Sequence, residues 1–344
     1  MTRASAAQDR RTVTLLSLAV ILGALLLGGL AVGWWAPGPH REELRIIVPR
    51  GAGTGQIGAE LASRGALRSA FVFRLGFRLM HGRTKLRFGE FAIPPRASAA
   101  AIARILARAR PVLRFVTIPE GWTSREIVAR LERTEGLVGP VSEVPPEGSL
   151  LPDTYAWTWG ETRVALLARM RTAMERFLTQ AWAGRDPGIP LATAEEAVIL
   201  ASIVELESHD PADRRMVAAV LLNRLKAGMR LEADPTAVYG SEPGPAARAR
   251  PPTGAELKAD NPYNTYRRRG LPPAPIANPG RDAILAVLHP AKTDALYFVA
   301  DGCGTHRFAR TLAEHRRNVR LWRRGAVAAG CGPKAGTPPA EGRS

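Results

Sequence analysis

The densest chemical signal in the chain is Glu205-Leu206-Glu207-Ser208, two carboxylates two residues apart behind an almost wholly apolar run, residues 197–204 (AVILASIV). Thr193 and Glu196 have the spacing of a capping box, so a helix starts there. A helix apolar on every side belongs in a core. A carboxyl at its end is partly desolvated, which raises its pKa and suits it to general acid work near neutral pH. Residues two apart on a helix point roughly 200° apart, so one of the pair can enter a given cleft while the other needs a separate partner. An ordinary helix end, with both carboxylates meeting solvent and arginine, is the competing reading of these residues.

Asp210-Pro211 has the N-cap and N1 residues of a next helix, which runs through Leu225 to a stop at Gly228. Behind it come three polar stretches braced by proline: residues 229–240 (MRLEADPTAVYG), 261–266 (NPYNTY) and 270–280 (GLPPAPIANPG). Asp234-Pro235 reads as a turn. Amides, hydroxyls and aromatic faces crowded on rigid loops suit sugar recognition. The candidate binding residues are Glu232, Asp234, Thr236, Tyr239, Asn261, Tyr263, Asn264, Thr265 and Tyr266. Any one of them could simply shape a turn; their clustering is what favours binding. On this reading, alanine at Asn264 costs activity and little stability.

Those elements stand well behind a long apolar segment. No charged residue occurs between Thr12 and Pro39, and residues 13–35 would span roughly 34 Å as a helix, enough for a bilayer core. Arg3, Arg10 and Arg11 precede it, which places the N-terminus in the cytoplasm by the positive-inside rule. Trp34 and Trp35 fall at an interfacial belt. The rival is a cleaved signal peptide, for which the run is too long. An uncleaved anchor is therefore expected, with everything after it outside the cytoplasm.

Between anchor and acidic pair, the pattern is small α+β from about 44 to 140. A strand at Leu44–Val48 leads through Pro49 and Gly51 to a helix at 56–64, stopped by Gly65. A Pro-bearing loop is read at 92–96 and a helix at 97–106. A strand at 114–118 and the Pro119-Glu120-Gly121 turn precede a helix capped by Thr123 and Glu126. The two strand–turn–helix segments look like one unit used twice. A helix is read at 164–182, and the rest is mostly helical, with a long loop at 240–254. Residues 325–344 are Gly/Pro-rich and read as a disordered tail.

The net charge of +17 suits a polyanionic neighbour, although a high-GC genome gives the same arginine excess. The anchor removes that charge from the cytoplasm, so nucleic acid is the weakest reading. Cys303 and Cys331 are too few for a disulfide framework, though one bridge is open, and they lack metal-site spacing. No metal and no cofactor is expected.

The blocks LASIVELES, LLNRLKAGMRLEADPTAVYG, NPYNTY, GLPPAPIANPG and HPAKTDALYFVADGCGTHRFARTLAEHRRNV, in this order, resemble the endolytic murein transglycosylase family. EGSLLPDTYAW at 147–157 and the Ile118-Pro119-Glu120-Gly121 turn resemble its earlier blocks. The match reaches from the anchor to about Trp322. It implies an α+β protein: a cytoplasmic N-terminus at 1–12, a transmembrane helix at 13–35, a small LysM-like α+β subdomain at 44–115 and a mainly helical α+β catalytic domain at 116–324. The implied location is the inner membrane, single-pass, with the catalytic domain on the periplasmic side. The implied substrate is the peptidoglycan glycan strand, cut within nascent strands at the β-1,4 bond between N-acetylmuramic acid and N-acetylglucosamine. The product is a 1,6-anhydro-muramic end, formed without water, and strand elongation would stop there. Wall synthases (penicillin-binding proteins) are the implied partners. The family's catalytic Glu is the second of an E-x-E-[ST] motif, here Glu207 before Ser208.

Two departures stand out: Glu232 where the family often has Gln, and Ala274 where it has Gly. Glu232 or Asp234 could serve a hydrolase as a second carboxylate, roughly 5–9 Å away. A muramidase and a non-catalytic glycan-binding scaffold are therefore the rival expectations.

Overall fold

The computed structural model describes residues 3–82, 84–208, 210–301 and 305–323. The chain divides into two compact units. The first runs up to Phe115 and includes Gly136–Val138 and Ala156–Glu161; the second holds Val116–Glu135, Gly139–Tyr155 and the chain from Thr162 onward.

In the first unit, α1 (Arg3–Trp35) is followed by β1 (Leu44–Val48), α2 (Thr54–Ser63), α3 (Ala70–His81), β2 (Gly89–Ile93) and α4 (Ala99–Arg108). Within α1, Thr14–Trp35 is the one stretch among the described residues long and apolar enough to cross a membrane, with mean hydropathy 2.6. β1 and β2 pair antiparallel from Leu44↔Ile93 to Val48↔Gly89. This places Ile46, Val48, Phe91 and Ile93 in a core closed by Ile57, Leu61, Phe73, Phe77, Ile102 and Leu106. Ser69 and Ser98 cap α3 and α4 by accepting from Val72 N and Ala101 N. Two sequence expectations change here. Ala92 and Ile93 belong to β2 and not to a loop, because they continue the alternation that buries Phe91 and Ile93. Helix α3 has no counterpart among the sequence expectations, since arginines interrupt its apolar positions.

β3 (Leu113–Thr117) and β4 (Thr154–Thr158) form a second two-stranded sheet. The second unit contains α5 (Ser124–Glu132), α6 (Arg163–Ala183), α7 (Ala194–Glu207), α8 (Pro211–Lys226), α9 (Asp234–Ser241), α10 (Ala246–Ala249), α11 (Gly254–Lys258) and α12 (Arg281–Leu288). The hairpin of β5 (Tyr297–Ala300) and β6 (His306–Ala309) comes next, and then α13 (Leu312–Arg323). The core is built on α7, α8 and α12, through Leu200, Ile203, Val204, Val217, Leu221, Ile284 and Val287. Thr123 and Glu126 complete the expected capping box of α5. At α7 only half of one forms: Thr193 Oγ1 accepts from Glu196 N, but the Glu196 carboxylate takes Ala192 N at 2.6 Å. Asp234-Pro235 opens α9 and is not a free turn, Pro being well placed in a first helical turn. The loop expected at 240–254 contains α10. The expected tail, Cys303 and Cys331 lie outside the described residues.

Candidate active site

Helix α7 passes through the core, so its last turn delivers two carboxyls to fixed and different surroundings. Glu205 is buried. Its Oε1 accepts from Arg214 Nη2 at 2.8 Å and its Oε2 from Gly280 N at 2.8 Å. Arg214, also buried, donates through Nε to Ser208 O at 2.9 Å. Gly280 leaves no room for a Cβ, which would overlap the Glu120 carboxylate. Burial pushes Glu205 up to about 7, against the pull of the Gly280 N–H and Arg214. Both oxygens are engaged inside the protein, so Glu205 binds elements together.

Glu207, on the other side of α7, is half-buried. Burial and the negative charge of Asp234 push its carboxyl up to about 7, while His306, the backbone N–H of Asp234 and Arg224 pull it down. That N–H belongs to the first residue of α9, so a helix N-terminus faces the carboxylate. A group balanced this way can hold a proton near neutrality, release it, and be stabilised as an anion afterwards.

Around it lies a rim of paired polar groups. Asp234 is exposed, and its Oδ1 accepts from Tyr266 Oη at 2.5 Å. Glu232, at φ 53 in the left-handed region, is exposed and pairs with Arg224 Nη1 at 3.1 Å. Arg224 is buried, anchored on Leu296 O and Leu231 O, and lies 5.2 Å from the ring centre of Tyr297. Tyr297 stacks on His315 at 5.3 Å. Burial and Arg224 lower the His315 pKa.

The residue after Glu207 leads to a second device. Ser208 Oγ donates to Asp213 Oδ2 at 2.9 Å, and the same carboxylate takes His306 N at 3.1 Å and faces His306 Nδ1 at 2.5 Å. Burial would raise Asp213, but the hydrogen bonds and charge of His306 and the Ser208 hydroxyl hold it below the usual range. Burial would lower His306; the hydrogen bond and charge of Asp213, with Glu207 and Asp301, raise it instead. The protonated form of His306 is therefore favoured, and its charge acts on Glu207. Sequence reasoning missed Arg224, Asp213, Tyr297, His306 and His315. His306 and His315 stand inside one of the family-like blocks, but nothing local marks them as partners of Glu207.

Several expected binding residues face inward. Thr236 and Thr265 are buried and bond each other at 2.8 Å, with Ala233 O and Ala233 N as their further partners. Asn264 is fully buried. Its Nδ2 donates to Ala259 O at 2.7 Å and Glu256 O at 2.9 Å, and its Oδ1 accepts from Tyr266 N at 3.0 Å. The hydrogen bonds of these three hold loops in shape, and those of Asn264 bear on stability as well as on any role in binding. Tyr239 is buried edge-on against the half-buried Tyr263, with ring centres 5.1 Å apart. Asn261 Oδ1 accepts from Tyr263 N and Asn264 N, both at 3.0 Å, forming an Asx turn. Glu232 and Asp234 are exposed, and Glu207, Asn261, Tyr263 and Tyr266 are half-buried. Among the described residues, no group of three His, Cys, Asp or Glu could hold a metal.

A mixed helix–strand protein with a buried acidic helix end and a polar, aromatic rim is thus the class that fold and site define. The chain belongs to the YceG-like family, whose model matches residues 46–321. It is 34% identical over 178 residues to a Bacillus subtilis protein named endolytic murein transglycosylase, covering 50% of this chain and 47% of that one. A Streptococcus pneumoniae protein of the same name is 26% identical over 324 residues, covering 81% of this chain and 58% of the relative. The chain therefore spans about half the length of these curated relatives. A crystal structure of a YceG-like protein from Listeria monocytogenes aligns with 80% of this chain and 98% of its own, at 26% identity and TM-score 0.49.

Proposed function

We propose that the protein is an endolytic lytic transglycosylase, with Glu207 as the single acid and base. Glu207 donates its proton to the glycosidic oxygen between N-acetylmuramic acid and N-acetylglucosamine, and the C1–O bond breaks. The carboxylate then takes the proton from the muramic C6 hydroxyl as O6 bonds to C1. The 1,6-anhydro ring closes, no water is consumed, and Glu207 ends protonated as it began. The observation that carries this reading is a half-buried carboxyl poised at about 7 beside a helix N-terminus and a cation. The family membership and the names of the relatives support it.

In this proposal α1 is an uncleaved inner-membrane anchor. Residues 44–115 form a LysM-like subdomain and 116–324 the catalytic domain, both on the periplasmic side. The substrate is the nascent glycan strand, whose elongation ends where it is cut. Penicillin-binding wall synthases are the partners that supply such strands. Asp234 and Glu232 are the carboxylates a muramidase would use, but each already has a partner, Tyr266 and Arg224. Mass spectrometry of peptidoglycan digested by the full-length protein in detergent tests the proposal. Anhydro ends are expected. Reducing ends would make the protein a muramidase, and uncut strands would make it a glycan-binding scaffold.

A further inference from the structure

Helix α3 presents a face that its own unit does not cover. Phe71 is 56% exposed and Leu79 73%, with the half-buried Leu75 between them at i, i+4, i+8 spacing. Met80 is 61% exposed and Trp35, at the end of α1, 62%. Arg74 and Arg78 border this stripe, and Arg104 and Arg108 stand exposed on α4. Among the described residues none of these four arginines makes an ion pair. Arg74 and Arg78 are like charges at i, i+4, which is unfavourable on an isolated helix and becomes favourable against anions.

The position of this face relative to α1 is fixed inside the unit. Val72 packs on Gly33, and Gly76 leaves the space that the Trp34 ring fills. Thr14–Trp35 is as long as a bilayer core is thick, so residues 33–35 stand at the membrane–water interface if α1 spans the bilayer. Whatever touches them stands there too. Beside this contact is a cavity of about 300 Å³ lined by Trp34, Trp35, Met80, His81, Arg104 and Arg108. Trp34 is buried, and its indole N–H has no acceptor among the described residues.

We propose that α3 docks on the outer surface of the membrane that α1 crosses, with Phe71, Leu75, Leu79 and Met80 in the headgroup–acyl boundary and the arginines on the phosphates of anionic phospholipids. A helix with a large apolar face bordered by arginine binds an anionic interface in this way. The unit is then seated on the bilayer and is not a freely swinging tether. The inference rests on the anchor reading of α1, and the experiment separates the two.

Full-length protein carrying Leu79→Cys, with Cys303→Ser and Cys331→Ser, is labelled with an environment-sensitive fluorophore and reconstituted in vesicles of zwitterionic lipid with or without phosphatidylglycerol. Phe115→Cys, an equally exposed apolar position on β3, is the control. Shallow brominated lipids should quench the Leu79 label roughly twofold or more, deep ones less, as the shallow burial of interfacial helices requires. The Phe115 label should be unaffected. Adding Arg74→Glu and Arg78→Glu should lower the docked-to-undocked ratio roughly fivefold or more per arginine, the equivalent of ~1 kcal/mol per basic residue near an anionic surface. Release of the protein by carbonate would overturn the anchor reading and this inference with it. A carbonate-resistant protein whose Leu79 label is unquenched on both vesicles, or responds only to added glycan strands, would overturn this inference alone.

Discussion

Glu205 and Glu207 are the same residue type two positions apart, and their neighbours assign them opposite duties. Glu205 faces buried Arg214, so above about pH 7, where its carboxyl is ionised, Glu205→Gln leaves a guanidinium short of its counter-charge. A loss of about 3 kcal/mol is expected, read as a lower melting temperature. Among the described residues Glu207 has no side-chain ion pair of that kind. Glu207→Gln should fold and bind glycan normally yet cut strands 10²–10⁴-fold more slowly or worse. A folded, inactive Glu205→Gln with an active Glu207→Gln would transfer the catalytic role to Glu205. The pH profile is set by the same surroundings. The acid form of Glu207 starts the reaction, so kcat/KM should fall as pH rises through about 7. His306 favours the anion, and Asp213 and Asp301 favour the charged imidazole. Removing the cation in His306→Gln should therefore move that basic limb to higher pH. Arg224 and Asp234 act on Glu207 unchanged in this variant, so an unmoved limb with merely lower activity would make His306 structural.

At the scale of elements, the internal hydrogen bonds of the loops decide which substitutions are tolerated. Asn264→Ala strands the carbonyl of Ala259 and the N–H of Tyr266 in a buried site and leaves the Glu256 carbonyl with only the Ala259 N–H, at a cost of about 3 kcal/mol. Denaturant unfolding should register that loss, together with reduced cleavage from a displaced Tyr266; an unchanged midpoint would return Asn264 to the ligand-facing set. This residue also marks where the sequence stops being legible. Periodicity and capping signals make α2, α4, α5, α6, α7 and α8 readable, because each is a local pattern that burial then uses. Among the short strands, β1 and β3 are marked by the Pro and Gly that follow them, whereas β4, β5 and β6 carry too few alternations to register by themselves. The side on which an Asn or Thr points depends on tertiary contacts 29 residues away in sequence, as in the Thr236–Thr265 bond. Glu207 and Asp234 can be singled out from residue type and motif; Asp213 and His306, 93 residues apart, cannot be paired without the fold.

For the whole molecule, the carboxyls raised toward neutrality set how stability depends on pH. Glu147, Glu205 and Glu207 are each pushed up to about 7, mainly by burial. Glu147 is half-buried, accepts from Ser124 N at 2.9 Å and Asn278 Nδ2 at 3.3 Å, and is acted on by the charges of Glu126 and Arg125. In the unfolded chain these groups titrate near 4.5, so between about 4.5 and 7 the folded state holds protons that the unfolded state has released. Stability must then fall as pH rises through that window. His306, raised above 6.5, adds to the same slope, because its folded-state proton is also lost on going up. Asp213, Glu90 and Glu126 are lowered, so their contribution is complete above their unfolded pKa values and is lost only in acid. Melting temperature should therefore decline from about pH 5 to about pH 8, by about 2–4 °C for each kcal/mol lost. Glu147→Gln, which removes one titrating group outside the catalytic surroundings, should flatten the decline without moving the basic limb of the activity profile. A melting temperature constant or rising across that range would show that these carboxyls are ionised in the folded protein. Glu207 would then lack the proton on which the proposed first step depends.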